Sequence, residues 1–181
     1  MKVKIEIFDE NENLLFYGSA ILNAANSIKK GENTATVNSN ENSSTFDINN
    51  LIKESGLTEK NLAEILHIDR NKKEFVIITE IPGNTDAEKQ KNAVLILLTV
   101  RYYLTLKDTV YASEIKTDLG KLDILSLTNL ATNLKSIRRF ILIKGINGSH
   151  NTTYTITEPG RREGIKLIKL IFSKIEKMEA T

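Results

Sequence analysis

The stretch that decides the fold runs from Tyr111 to Thr157 and reads YASEIKTDLGKLDILSLTNLATNLKSIRRFILIKGINGSHNTTYTIT. Its order predicts a helix, a turn, a second helix and then a two-stranded β-ribbon. Ser126 is suited to cap the second helix, because a serine hydroxyl can accept a hydrogen bond from a free amide of the first turn. Five apolar residues then recur at helical spacing and predict one buried face. They are Leu127, Leu130, Ala131, Leu134 and Ile137.

The outward face of this predicted helix, residues 127–137, carries amides and hydroxyls where a solvent-facing helix usually carries Glu and Lys. Asn and Thr weaken a helix, but their side chains can hydrogen-bond to base edges and pack on the thymine methyl group. The residues concerned are Thr128, Asn129, Thr132, Asn133 and Ser136, with Lys135 beside them.

The predicted ribbon follows directly. Phe140–Lys144 reads as a short strand, and Thr152–Thr157 reads as the strand that returns. The dipeptide Asn147-Gly148 between them is a strong hairpin signal, because both central residues of a type I′ turn need positive φ. A long helix is then expected to begin near Glu158, with Thr157 as its cap.

This order of elements resembles the winged helix-turn-helix family, in its archaeal regulator-like form. The resemblance rests on Tyr111–Ile115 for a supporting helix, Ser126–Ile137 for a recognition helix, Lys144–Thr153 for a wing and Tyr154–Gly160 for the exit strand and helix start. It covers roughly residues 88–181. The resemblance implies a DNA-binding domain, although scaffolds of this kind also serve as protein-interaction modules.

The remainder of the chain predicts a second, smaller domain, so the expected fold class is α+β with two domains. Residues 83–181 are expected to form the winged helix-turn-helix domain with its long C-terminal helix. Residues 1–82 are expected to form an α+β N-terminal domain for assembly or sensing. Its alternating strand at Val3–Ile7 and a strand at Leu14–Tyr17 predict a hairpin.

This N-terminal domain also contains a degenerate helix-turn-helix-like unit at Asp47–Ile68, with Gly56 at the turn and Thr58 as a cap. Duplex affinity depends mainly on the neutralisation of phosphates. The outward residues of the second helix nearly cancel in charge, so packing is the expected role of the unit. They are Glu59, Lys60, Asn61 and Glu64.

Two predicted helices have more apolar surface than one buried face requires. Residues 93–100, AVLILLTV, are apolar nearly all round, which indicates a helix covered on several sides, either between the two domains or in a subunit interface. Near the C-terminus, Ile168, Ile171, Ile175 and Met178 form a short a/d-like seam. We therefore expect a homodimer that forms through the helix at 88–106, the helix at 158–178, or both.

The charge of the chain is unevenly distributed. Residues 1–80 hold 9 Lys/Arg and 13 Asp/Glu, a net charge of −4, whereas residues 135–181 hold 10 Lys/Arg and 4 Asp/Glu, a net charge of +6. Basic charge thus follows the predicted recognition helix, as a surface that faces phosphates requires. The alternative is that these cations are simply solvated.

Few features of the sequence suggest catalysis or a cofactor. There is no Cys, and the two histidines, His67 and His150, have no second histidine nearby, so neither a metal site nor a cofactor is expected. No nucleophile-elbow or phosphate-loop motif occurs. No apolar run approaches the ~20 residues that span a bilayer. We expect a non-enzymatic, cytoplasmic protein that does not enter a membrane.

The functional hypothesis is therefore a double-stranded-DNA-binding protein that acts as a transcriptional regulator. The helix at 127–137 would read the major groove and the wing at 144–153 would contact phosphates. The alternative is a module on the same scaffold that binds a protein or RNA. The predicted DNA-contacting residues are Ser113, Lys116, Thr128, Asn129, Thr132, Asn133, Lys135, Arg138, Arg139, Lys144, Ser149, His150, Arg161 and Arg162.

Overall fold

The computed structural model describes residues 2–8, 14–21, 46–122, 127, 129–145 and 151–179, the first two ranges by their backbone alone. These residues form a mixed α+β structure. Its helices are α1 (Asn49–Ser55), α2 (Glu59–Ala63), α3 (Asp86–Thr105), α4 (Ala112–Gly120), α5 (Leu130–Lys135) and α6 (Glu158–Glu179). Its strands are β1 (Lys2–Phe8), β2 (Leu14–Ile21), β3 (Leu66–Asp69), β4 (Glu74–Ile77), β5 (Thr109–Tyr111), β6 (Ile141–Lys144) and β7 (Thr153–Ile156).

The chain divides into two compact units, residues 1–40 and residues 41–181. In the first unit, β1 pairs with β2 in an antiparallel register that places Val3 opposite Ala20 and Ile5 opposite Gly18. This confirms the hairpin that the alternating residues predict. The second strand is longer than expected, because it extends to Ile21.

Helix α3 is the centre of the second unit. The Thr85 side chain caps it by accepting a 3.2 Å hydrogen bond from the amide of Glu88. All residues from 93 to 100 are buried, because α1, α4, α5, α6 and β7 pack around the helix. The prediction that this helix is covered on several sides is confirmed. Other elements of the same chain cover this helix. Its apolar surface is therefore not available for the homodimer predicted through residues 88–106.

The predicted helix-turn-helix-like unit is present as two short helices. Gly56 ends α1 in the left-handed conformation, at φ 69°. The Thr58 side chain accepts from the Asn61 amide at 3.2 Å, and the Asn61 side chain accepts from the Thr58 amide at 3.0 Å. The second helix is shorter than predicted, because Leu66 begins strand β3, which pairs with β4.

The described residues 46–82 share the core of the residues that follow them. Helix α1 packs against both α3 and α6, and Leu51 of α1 and Leu62 of α2 are fully buried in that same core. The compact unit that contains these residues begins at residue 41, whereas the sequence predicts a domain boundary at residues 82–83. Two helices this short cannot bury their apolar faces by themselves, so the pair packs against α3 and α6.

A three-stranded antiparallel sheet completes the second unit, with β7 between β5 and β6. Tyr154 of β7 lies opposite Val110 of β5 and Ile143 of β6. The ribbon predicted from residues 140–157 is confirmed to within one residue at the described strand ends. Strand β5 was not predicted, since three residues are too few to show an alternating pattern.

Helix α6 packs along α3 through Ile165, Ile168 and Ile171, which are buried. As predicted, Thr157 caps it, because its hydroxyl accepts from the Gly160 amide at 3.2 Å. A methyl group at Gly164 would overlap the Thr99 hydroxyl, so the two helices approach closely at this point.

Candidate nucleic-acid interface

Helix α4, which corresponds to the predicted supporting helix, is fixed to α3 by charge as well as by packing. Arg101 of α3 donates to the Glu114 carboxylate at 2.8 Å and to the Asp118 carboxylate at 2.5 Å. Ile115 on the inner face of α4 is buried. The predicted contact residues Ser113 and Lys116 are exposed on the opposite face.

Helix α5 is shorter than the predicted recognition helix. It comprises residues 130–135, whereas the prediction was 127–137. The Ser136 hydroxyl donates to the Asn133 carbonyl at 2.6 Å, and the Ser136 amide bonds the same carbonyl at 3.2 Å. Side chains of this kind compete with the helical backbone for hydrogen bonds. The residues that made the outward face unusual therefore also shorten the helix.

The predicted amide-and-hydroxyl face of α5 is only partly available to a ligand. Asn129 and Thr132 are exposed. Asn133 is half-buried, and its side-chain NH₂ donates a 2.7 Å hydrogen bond to the side-chain oxygen of Gln90 on α3. The amide of Asn133, which the sequence predicts to read a base edge, joins α5 to the central helix.

Four exposed cations follow along the chain from the end of α5 to the end of β6. They are Lys135, Arg138, Arg139 and Lys144. Arg139 stacks on the Phe140 ring, 4.3 Å from the ring centre. A cavity of about 600 Å³ runs along β6 and is lined by Lys135, Arg138 and residues 141–145. We call this cavity the β6 groove.

No carboxylate side chain interrupts this part of the sequence. Between Asp123 and Glu158 there is no Asp or Glu, and the same interval contains these four cations. The described lining of the β6 groove includes no acidic residue. Its cations therefore have no acidic neighbour within this part of the sequence.

The outer edge of β6 bears no further strand in the described sheet. The Thr157 amide donates to the Phe140 carbonyl at 2.9 Å, whereas the Ile141 amide donates to Ile137 at 3.2 Å. Because the ladder alternates, Ile143 also directs its amide and carbonyl away from β7. Leu142 is 50% exposed on the outer face of the sheet.

Arg161 and Arg162 do not form part of the β6 groove. The Arg161 guanidinium lies 4.3 Å from the centre of the Tyr102 ring and forms an ion pair with Glu158, and its side chain is only 19% exposed. The guanidinium of Arg161, which the sequence predicts to contact phosphate, therefore has two intramolecular partners. Arg162 is exposed, although it also pairs with Glu158 at 3.0 Å. Arg161, followed by Arg162, lowers the pKa of the Glu158 carboxyl.

Three predicted contact residues, Thr128, Ser149 and His150, lie outside the described residues, as do Ser126 and the Asn147-Gly148 turn. Two residues of the site, Gln90 and Leu142, were not identified from the sequence. Gln90 lies between Lys89 and Lys91, in a charged part of the helix, so nothing in the local sequence marks it as buried. No pattern distinguishes Leu142 from its neighbours, since residues 141–143 are all apolar.

The described part of the chain contains no group of three His, Cys, Asp or Glu side chains able to hold a metal ion. Of its helices, none is both long enough and apolar enough to cross a bilayer.

Comparison of the chain with protein-family models, with curated proteins and with solved structures finds no match.

Proposed function

We propose that the protein is a transcriptional regulator that binds double-stranded DNA through α5, the turn after it and β6. The observation that carries this proposal is the row of exposed cations at the β6 groove, in a part of the sequence with no acidic residue. Neutralisation of phosphates provides most of the affinity of such surfaces.

The succession of elements supports the proposal. From α3 onward the chain runs helix, strand, helix, helix, strand, strand, helix, with β7 in the middle of the sheet. This order agrees with a winged helix-turn-helix domain, the finer assignment that we propose. In that arrangement α5 would approach the major groove, and the segment between β6 and β7 would form the wing.

The contacts available on α5 suggest modest base specificity. With Asn133 bound to Gln90, the amide and hydroxyl side chains that remain exposed in the described helix region are those of Asn129, Thr132 and Ser136. The phosphates, which carry no sequence information directly, would be contacted by the four cations Lys135, Arg138, Arg139 and Lys144. Binding should therefore depend on charge more than on sequence.

A protein partner is the second candidate, and the exposed Leu142 beside the free edge of β6 favours it. An extended segment can add to such an edge through main-chain hydrogen bonds. Binding of this kind would depend on Leu142 and only weakly on salt.

We also propose that the protein forms a homodimer, through α6 alone. Leu170 is 45% exposed on this helix, so a partner helix could cover it. Light scattering after size-exclusion chromatography would give the mass, and Leu170→Lys should yield a monomer. An unchanged mass in that variant would exclude this contact.

The DNA proposal is tested by titrating a random-sequence duplex with the full chain and following fluorescence anisotropy at about 50 mM and about 200 mM salt. Four phosphate contacts predict a slope of log affinity against log salt of about −3 to −4. Arg138→Ala/Arg139→Ala should weaken binding and reduce that slope by about 2.

A charge-matched control is Lys53→Ala/Lys60→Ala, which removes two exposed cations from α1 and α2. This variant should retain the affinity and the slope. Absence of binding at low salt would refute the proposal, and so would equal losses in the two double variants. Binding to an unstructured protein segment that is lost in Leu142→Ser would establish the second candidate instead.

A further inference from the structure

The C-terminal half of α6 forms one wall of an apolar cavity that the proposed DNA interface does not use. The other wall is the extended segment at residues 79–83. The cavity holds about 330 Å³, which is within the range of roughly 300–1,000 Å³ found for small-molecule sites. None of its lining residues belongs to the β6 groove.

The floor and mouth of this cavity differ in exposure. Ile81, Pro82 and Ile171 are buried and form an apolar floor. Met178 stands at the mouth with 80% of its surface exposed. Methionine side chains are unbranched and adapt to irregular apolar shapes. The cavity can therefore enclose an aliphatic chain more completely than its open form suggests.

The rim of the cavity carries charges of both signs. Glu80 and Lys174 both line it. Lys89, which does not line the cavity, forms a 2.9 Å ion pair with Glu80. Lys89, and more weakly Lys174, hold the pKa of the Glu80 carboxyl below its usual value. Because Glu80 already has Lys89 as its ion-pair partner, a further carboxylate placed near Lys174 would be attracted to that lysine.

We propose that this cavity binds a small amphipathic monocarboxylate. Its aliphatic part would lie on Ile171 and Ile175, with Met178 folded over it, and its carboxylate would meet Lys174. Charge complementarity selects an acid over a neutral lipid or an amine. The proposal is independent of DNA binding, and it would give a regulator an effector site remote from the DNA-contacting face.

The chain offers a direct reporter, because it contains only two methionines, Met1 and Met178. The full-length protein would be labelled at the methionine methyl groups with ¹³C and titrated with hexanoate, octanoate and decanoate below their micelle concentrations. The Met178 signal, assigned by Met178→Leu, should shift and saturate. Each added methylene should raise the affinity by about three- to fourfold.

Two exposed rim residues allow opposite effects to be tested without disturbing the core. Lys174→Gln should weaken octanoate binding by about three- to fivefold. Glu80→Gln should tighten it, because the substitution removes the one carboxylate at the rim. Lys169→Gln is the matched control, since Lys169 is exposed on the same helix but does not line the cavity.

The proposal fails if the Met178 signal does not saturate, or if octanol binds as tightly as octanoate. It also fails if Lys174→Gln and Lys169→Gln bind octanoate equally well. A Met178 signal that moves with protein concentration alone would show that a second copy of the chain fills the cavity, and this outcome would overturn the ligand assignment. None of these readouts uses DNA.

Discussion

The side-chain NH₂ of Asn133 donates a 2.7 Å hydrogen bond to the side-chain oxygen of Gln90. The bond joins the short helix α5 to the first turns of α3, and Gln90 is only 2% exposed. A hydrogen bond of this kind contributes about 0.5–1.5 kcal/mol to stability. The pair therefore fixes which face of α5 turns outward and leaves Asn129 and Thr132 exposed.

Asn133→Ala should lower the free energy of unfolding by about 1 kcal/mol, because the substitution removes the hydrogen bond to the buried Gln90 side chain. Urea unfolding followed by circular dichroism would measure the change. Thr132→Ala, at the exposed neighbouring position on α5, should change stability by less than about 0.5 kcal/mol. Equal losses in the two variants would show that the Asn133–Gln90 bond contributes nothing.

Local patterns in the sequence were sufficient for much of this fold. The apolar residues 93–100 predicted a helix with cover on several sides, and Thr157 was identified as a cap from its residue type and position. These features depend on residues within about one or two helical turns. Short strands such as β5 lack that information, since their pairing partner lies more than 40 residues away.

The candidate site was predicted less well, because its geometry depends on distant parts of the chain. The cations at Lys135, Arg138 and Lys144 were identified from charge distribution alone, and the structure places them along one groove. Helical periodicity placed Asn133 on the outward face, but it could not show that Gln90 would meet it there. Likewise, the sequence could not show that the Arg161 guanidinium contacts Tyr102 and Glu158.

Gly164→Ala should destabilise the protein by about 1–3 kcal/mol through overpacking. The new methyl group would overlap the Thr99 hydroxyl and lie 2.7 Å from the Thr99 Cβ. Gly120→Ala is the matched control, because Gly120 is also helical and a methyl group added there would meet no atom within 4 Å. It should be neutral or stabilising by up to about 1 kcal/mol. Thermal and urea unfolding of both variants would measure the difference. If Gly164→Ala leaves the free energy of unfolding unchanged, α3 and α6 are not in close contact at this point.

Alkaline pH should weaken the fold through Tyr154. Burial on the inner face of the sheet raises the pKa of this phenol, so the folded state favours its neutral form. The resulting stability is fully present below the unfolded pKa of about 10 and is lost as the pH rises through the higher folded pKa. Tyr154→Phe should reduce the fall in unfolding free energy between about pH 9 and about pH 11, whereas Tyr111→Phe, at an exposed position, should leave it unchanged. Parallel pH profiles for the wild type and Tyr154→Phe would contradict this account.

Substitutions at Arg161 and Arg138 should have different effects, one on stability and the other on DNA binding. Arg161 stacks on Tyr102 and pairs with Glu158, so Arg161→Ala should lower the free energy of unfolding by roughly 1 kcal/mol and leave the salt dependence of DNA binding unchanged. Arg138 is exposed in the β6 groove. Arg138→Ala should therefore leave stability within about 0.5 kcal/mol of the wild type and reduce the salt slope by about 1. Measuring urea unfolding and anisotropy on both variants tests the assignment, because a reversed pattern would place the phosphate contacts at the start of α6 and not at the β6 groove.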